Sequence, residues 1–223
     1  YSVPYMWGTL GILYNTTMVD EEVDSWDILW DEKYSKRIFM YDSLRDSIGV
    51  ALSRLGFSVN TLDASELEAA KKSLILQRPL VRAYMGDQVK HSMIGREGAL
   101  SLVYSGDAIF CIEENAELDY AVPLEGSNVW FDAVVIPVGT QKKAEAEAFI
   151  NFLCDPQIAL LNTEYIGYST VNSEAFKLLS DDLRNDPIYW PPDDVLERCA
   201  PFLDLGPFLA EYNRAWTEIL ASN

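Results

Sequence analysis

The sequence predicts an α/β fold, and two observations carry this. Short apolar runs of strand length, such as TLGILYN at 9–15 and LSLVYSG at 100–106, are bounded by turn residues. Between them lie segments with helical periodicity, such as LDASELEAAKKSL at 62–74. Strands alternating with helices bury their apolar faces by covering a sheet with helices. A length of 223 residues suits one large domain or two small lobes.

The elements follow in order. TLGILYN (9–15) reads as a strand and SWDILWD (25–31) as a short helix with Ser25 as N-cap. RIFMYD (37–42) is a strand, and DSIGVALSRLGF (46–57) a helix. In the helix at 62–74, Asp63 and Glu66 stand at capping-box spacing. LVRAYMG (80–86) is a strand followed by a short helix at 87–93, and LSLVYSG (100–106) a strand followed by DAIFCIEEN (107–115) as a helix. LDYAVP (118–123) and WFDAVVIP (130–137) are strands, the latter ending in an apolar run that reads as buried. From Lys143 onward the pattern is almost wholly helical. KAEAEAFINFLC (143–154) leads to Asp155–Pro156, a helix restart with proline at the first helical position. SEAFKLLS (173–180) and PFLAEYNRAWTEILA (207–221) are amphipathic.

Composition narrows the function. An apolar fraction of 49% with 23% charged residues fits a folded, water-facing protein. There are 17 basic and 35 acidic side chains, a net charge of −18, which disfavours nucleic acid and anionic membrane surfaces. The same field favours cationic ligands, although it also serves solubility alone. No apolar run is long enough to span a bilayer. The start at Tyr1 lacks the charged and apolar regions of a signal peptide, as in a mature or excised chain. Three cysteines, Cys111, Cys154 and Cys199, with no CxxC spacing suggest neither a disulfide framework nor a zinc site; buried thiols are expected.

Several chemistries lack their residues. His91 is the only histidine, so any Ser-His-Asp or Cys-His site would have to run through it. Tyr104-Ser105-Gly106-Asp107 is not a nucleophile elbow. Neither phosphate-binding glycine pattern occurs, and no His, Cys and carboxylate cluster has metal spacing, so no cofactor and no metal are expected. A carboxylate-pair enzyme using Asp46 and Asp132 stays open.

What remains is a set of acids and aromatics at strand ends. Tyr41-Asp42-Ser43 with Asp46 follows one strand, and Tyr104 with Asp107 another. Trp130 and Asp132 lie in a third, and Tyr168 sits in the turn IGYSTVN. Ring faces attract an alkylammonium by roughly 0.5–2 kcal/mol each, and a carboxylate gives it a charge-assisted hydrogen bond. Each residue also has a plain structural reading. Ser43 and Asp46 form an S-x-x-D helix box, and Asp107 reads as an N-cap. Tyr104 and Trp130 fit a core or its rim. Asp132 is the hardest to read this way, because an acid in a strand needs a turn bond or an arginine.

At these residues the chain resembles the polyamine-binding proteins of ABC transporters. The resemblance rests on VPYMWGTLGILYN (3–15), SWDILWDEKYSKRI (25–38), DSLRDSIGVALSRLGFSVNT (42–61), VWFDAVVIP (129–137) and EAFINFLCDPQIALLNTEYIGYSTVN (147–172). It implies the two-lobed type II periplasmic-binding fold, here as one complete lobe plus a remnant of the other. Residues 8–131 and 177–223 would form the second lobe, and 1–7 with 132–176 the retained part of the first. The chain would then lack most of the first lobe, the signal peptide and the lipid-attachment cysteine of a surface lipoprotein.

The resemblance also implies site residues. Asp132 matches the acid that binds a central amine, and Trp130 the aromatic along the aliphatic chain. Tyr104 falls at an aromatic position, and Asp46 where a carboxylate takes a ligand amine. Ser43 stands where some relatives carry Asp, so that end would have one acid fewer. Tyr168 matches a pocket tyrosine, and Phe202 replaces a polar glutamine contact. The implied function is a non-enzymatic receptor at the periplasmic or extracellular face of the membrane. It captures spermidine or putrescine and delivers it to ABC permease subunits. Alternatives are a receptor of the same fold for thiamine, a metal complex or an organic anion, or the carboxylate-pair enzyme. Strands without their sheet partners would leave exposed edges, so self-association between copies of the fragment is expected.

Overall fold

The organising element is β1 (Ser2–Asn15), a strand of 14 residues that belongs to two sheets in succession. A computed structural model describes residues 2–222; Tyr1 and Asn223, the outer ends of the expected lobe segments, lie outside the described residues. The second half of β1, from Leu10 onward, runs antiparallel to β4 (Leu100–Tyr104) and β5 (Leu118–Ala121). Its first half pairs with β6 (Val129–Val135) and β7 (Ser169–Thr170). The partner change falls between Thr9 and Leu10.

The larger sheet has the order β3-β2-β4-β1-β5, with β2 (Ile38–Tyr41) parallel to both β3 (Val81–Met85) and β4. Its strands are covered on both faces, which is why they read as continuous apolar runs. Alternate residues feed opposite layers, because successive strand side chains point to opposite faces. Leu10, Ile12, Ile38, Met40, Leu100 and Leu102 pack under α1 (Leu44–Arg54), α2 (Ala64–Gln77) and α10 (Leu209–Ala221). Leu13, Phe39 and Val103 pack on the other face under α3 (Val89–Ile94) and α4 (Ser105–Glu114). Trp26, Tyr34 and Tyr212 are the largest fully buried side chains, and burial of each contributes roughly 1.5–3 kcal/mol.

The remaining helices are α5 (Lys143–Leu153), α6 (Pro156–Ile166), α7 (Ser173–Leu178), α8 (Asp181–Asn185) and α9 (Asp193–Glu197). Asp155 caps α6 by accepting from the Gln157 and Ile158 amides, with Pro156 next in line, as the sequence predicts. Ser25 likewise caps the 3-10 turn Trp26–Trp30 through the Asp27 amide.

Four expectations need correction. The apolar run after Asp132 is not buried: Ala133 is exposed, Val135 is 60% exposed and Val134 and Ile136 are half-buried, since β6 pairs with β1 alone and has no strand on its other edge among the described residues. The Asp63–Glu66 capping box does not close. Asp63 caps through the Ser65 amide, whereas Glu66 takes the Thr61 hydroxyl, which in turn accepts from the Asp63 amide. Asp107 is not an N-cap, because α4 starts directly after the strand at Ser105 and Asp107 falls in its first turn. Of the cysteines only Cys111 is buried; Cys154 is exposed at the end of α5, which buries none of its residues.

Candidate functional site

The carboxyl ends of the parallel strands deliver the site. In open sheets of this kind, loops at those ends converge on a crevice. Strand β2 ends at Tyr41 and β4 at Tyr104, and the two rings meet edge to face at 5.1 Å between centroids. Strand β1 runs the opposite way, so its middle lies at this end, with Leu10 opposite Tyr104. Two residues back along β1, Gly8 pairs with Trp130 of β6. Trp130 therefore reaches Tyr104 across the two sheets, at 5.9 Å. Tyr168 completes the row, edge to face on Trp130 at 4.9 Å.

Tyr168 arrives from the other side of the molecule. Helix α6 ends in Gly167, whose left-handed backbone (φ +87°) stops the helix and turns the chain inward. The Tyr168 ring then lies flat against Gly106. A β-carbon at that glycine would sit 2.4 Å from the ring, so only glycine lets the two segments approach this closely. Burial and the neighbouring Asp107 keep the Tyr168 hydroxyl protonated far above its ordinary range.

Asp46 sits under this row. It is 3% exposed, in the first turn of α1, and its Oδ2 accepts from the Tyr104 hydroxyl at 2.9 Å. Its Oδ1 is buried with no partner. Burial raises its pKa, although Ser43, Tyr104 and Arg45 oppose the shift. The charge also raises the Tyr104 pKa, so that hydroxyl stays a donor. Ser43 occupies the N-cap position of α1 but accepts no capping bond; its side chain favours the Asp46 charge instead. Arg45 forms no direct ion pair with Asp46, although its charge favours the carboxylate from a distance. Its guanidinium lies on the Phe202 ring at 4.4 Å and donates to Asn60 Oδ1 and the Leu203 carbonyl. Phe202 thus packs on a cation, and with Asp46, Gly49 and Val59 it lines a narrow packing gap that does not include the aromatic row.

Asp132 lies two residues along β6 from Trp130, on the same face of the strand, opposite Met6 of β1. It is exposed and forms no ion pair among the described residues, so neither an arginine nor burial explains it. The structure brings Asp46, Tyr104, Trp130 and Tyr168 into one cluster, with Ser43 at its edge; Asp132 stands beside the cluster in solvent. Sequence reasoning missed Asp87 and Lys90, the partners of Tyr41 and Asp107. Tyr41 donates to Asp87 Oδ1 at 3.3 Å, and Lys90 pairs with Asp107 at 2.8 Å.

A second recess, of about 260 Å³, lies between the first half of β1, β6 and helices α5 and α6. Val3, Val134, Ile150 and Leu153 line it, with no charged side chain, so it lacks the groups that recognise a charged ligand. The strand-end cluster has them: a desolvated acid with a free oxygen, and ring faces on which aliphatic carbon can lie.

The family of bacterial extracellular solute-binding proteins matches residues 1–199 of this sequence. The chain belongs to that family. The chain is 33% identical, over 99% of its length, to the spermidine/putrescine-binding periplasmic protein of Salmonella typhimurium. It is 30% identical over 98% of its length to the putrescine-binding periplasmic protein SpuD of Pseudomonas aeruginosa. It spans 64% and 65% of the lengths of those two relatives. The solved spermidine/putrescine ABC transporter substrate-binding protein PotD of Streptococcus pneumoniae superposes with a TM-score of 0.89 at 37% identity. That likeness covers 99% of this chain and 68% of the other. A more distant GABA receptor structure, at 21% identity and TM-score 0.77, shares the fold alone. The α/β architecture is thus that of periplasmic binding proteins, as the resemblance implied.

Proposed function

We propose that the full-length protein is the extracytoplasmic receptor of an ABC transporter, which captures a polyamine and hands it to a membrane permease. The observation that carries this reading is the Asp46 carboxylate, buried against the Tyr104 hydroxyl with one oxygen unpartnered, next to a row in which Tyr41 and Trp130 pack on Tyr104. An uncompensated buried charge is costly, and a ligand ammonium offsets that cost directly. Trp130 and Tyr168 offer flat faces to the methylenes between amines, and Asp132 supplies a second acid from the same strand face. Ser43 gives a neutral edge. The relatives named above are described as binding spermidine and putrescine, which is the same ligand chemistry.

The family and this geometry support binding rather than catalysis. Asp46 and Asp132 differ in burial, one desolvated and one in water. A receptor for an organic anion would instead turn arginine or free helix N-termini toward the ligand. Here the first turns of α1 and α4 carry Asp46 and Asp107.

The lobe assignment belongs to the same reading: 8–131 and 177–223 as one lobe, 1–7 and 132–176 as part of the other. The change of β1 partners between Thr9 and Leu10 supports it, as does the pairing of β6 with the first half of β1. Ligand contacts from both lobes would favour the closed state, since only differential affinity shifts such an equilibrium. A thermal-shift panel of diamines and triamines on the full-length protein tests the function. Stabilisation that grows with amine concentration supports it, and no shift with any amine refutes it.

A further inference from the structure

The acids around the aromatic row are not equivalent, because one of them is already neutralised from within. Lys90 Nζ lies 2.8 Å from Asp107 Oδ1, and the two side chains are only 24% and 16% exposed. Lys90 stands in the first turn of α3 and Asp107 in the first turn of α4, so the pair bridges the two helices that cover this face of the sheet. Asp107 follows Tyr104 by one helical turn and adjoins Gly106, against which Tyr168 packs. Its charge acts on Tyr168, Tyr41 and Tyr104 alike. Asp107 is therefore an acid of the same crevice as Asp46. Burial works against the Lys90 charge, but Asp107 and Asp87 more than offset it, and the ammonium stays protonated.

We propose that Lys90 is a specificity-determining residue: its ammonium serves as an internal counter-ion to Asp107, withholds that acid from the ligand, and tunes the cleft to amines of lower charge. This rests on the amine-receptor reading. In a partly desolvated cleft each ligand ammonium needs an acid, and each unmatched charge is penalised. A ligand with an additional ammonium would have to compete with Lys90 for Asp107. A ligand with fewer amines leaves the pair undisturbed.

The test is calorimetric titration of the full-length protein with putrescine, spermidine and a linear tetraamine. Wild type is compared with Lys90→Gln, Lys90→Met, Asp107→Asn and the double variant Lys90→Gln/Asp107→Asn. The readout is the ratio of tetraamine to diamine affinity, which does not depend on the fraction of protein that is folded. Loss of the ammonium should raise the ratio about fivefold or more, the scale of one charge interaction at close range. Asp107→Asn leaves the ammonium unpaired and should lower it. The double variant restores the wild-type cleft charge and should restore the wild-type ratio. If Lys90→Gln does not fold, Lys90→Met and Asp107→Asn still decide the direction. Unchanged ratios, or shifts of the same sign in Lys90→Gln and Asp107→Asn, would overturn the role of Lys90. A wild type that titrates with none of the amines would overturn the receptor reading instead, and the two failures are told apart by that control.

Discussion

The Tyr104 hydroxyl donates to one oxygen of Asp46 at 2.9 Å, and the other oxygen of that buried carboxylate has no partner. The two residues are the end of a strand and the first turn of a helix, 58 positions apart in sequence. Half-satisfied buried acids are costly in a folded protein, so on the proposed function this pair is where a ligand cation would gain most.

Tyr104→Phe keeps the ring in the aromatic row but removes the donor. The carboxylate then has two unpartnered oxygens, a cost of about 1–3 kcal/mol. Amine affinity should fall, while the edge-to-face packing on Tyr41 and Trp130 persists. Calorimetry with a near-UV dichroism control checks both; an unchanged affinity would contradict the pairing.

Asp46→Asn tests the burial of the charge. The native pKa of Asp46 is raised, first by desolvation, so the native state holds its proton more tightly than the unfolded chain does. Its stabilising contribution is complete below the ordinary carboxylate pKa of about 4 and is lost as pH rises through the native pKa. At neutral pH the ligand-free wild type bears the cost of a buried charge. Asp46→Asn should therefore melt higher than wild type at pH 7, with the gap closing below about pH 4. Amine affinity of the wild type should fall as pH drops through the raised native pKa. Thermal melts of both proteins across pH give the answer, and a variant less stable at pH 7 would refute it.

Gly106→Ala would gain about 1 kcal/mol from helix propensity at an unconstrained site. Here the added methyl would lie 2.4 Å from the Tyr168 ring. The variant should instead lose about 1–3 kcal/mol through overpacking, and ligand affinity should drop with the displaced tyrosine. Urea denaturation measures the first effect, and a gain in stability would show that the ring does not rest on Gly106.

The sheet was legible where both faces are covered, because continuous apolar runs such as LSLVYSG mark strands without ambiguity. The start of β1 was not. Pro4 interrupts the pattern, and the register shift between Pro4 and Met6 shows how the strand accommodates it. At the site, residue types at strand ends were visible, but the contacts were not. The 58-residue separation of Asp46 and Tyr104, or the 17 between Lys90 and Asp107, carries no local signal. The family resemblance put Asp46, Trp130, Tyr104 and Tyr168 in one pocket, and the described geometry does bring these four together. Asp132 was expected at the head of a buried strand; it is solvated, and its plain structural explanations fail for lack of an arginine partner.

That exposure makes Asp132 the sharpest probe of the account. In the full-length protein, Asp132→Asn should leave the melting temperature within about a degree of wild type, because a surface substitution away from packed features changes stability little. Calorimetric titration with spermidine and putrescine should show affinity reduced at least about tenfold, the loss of one charge-assisted contact. A variant that binds either amine as tightly as wild type would contradict the claim that this strand face and the buried acid beside it receive a polycation.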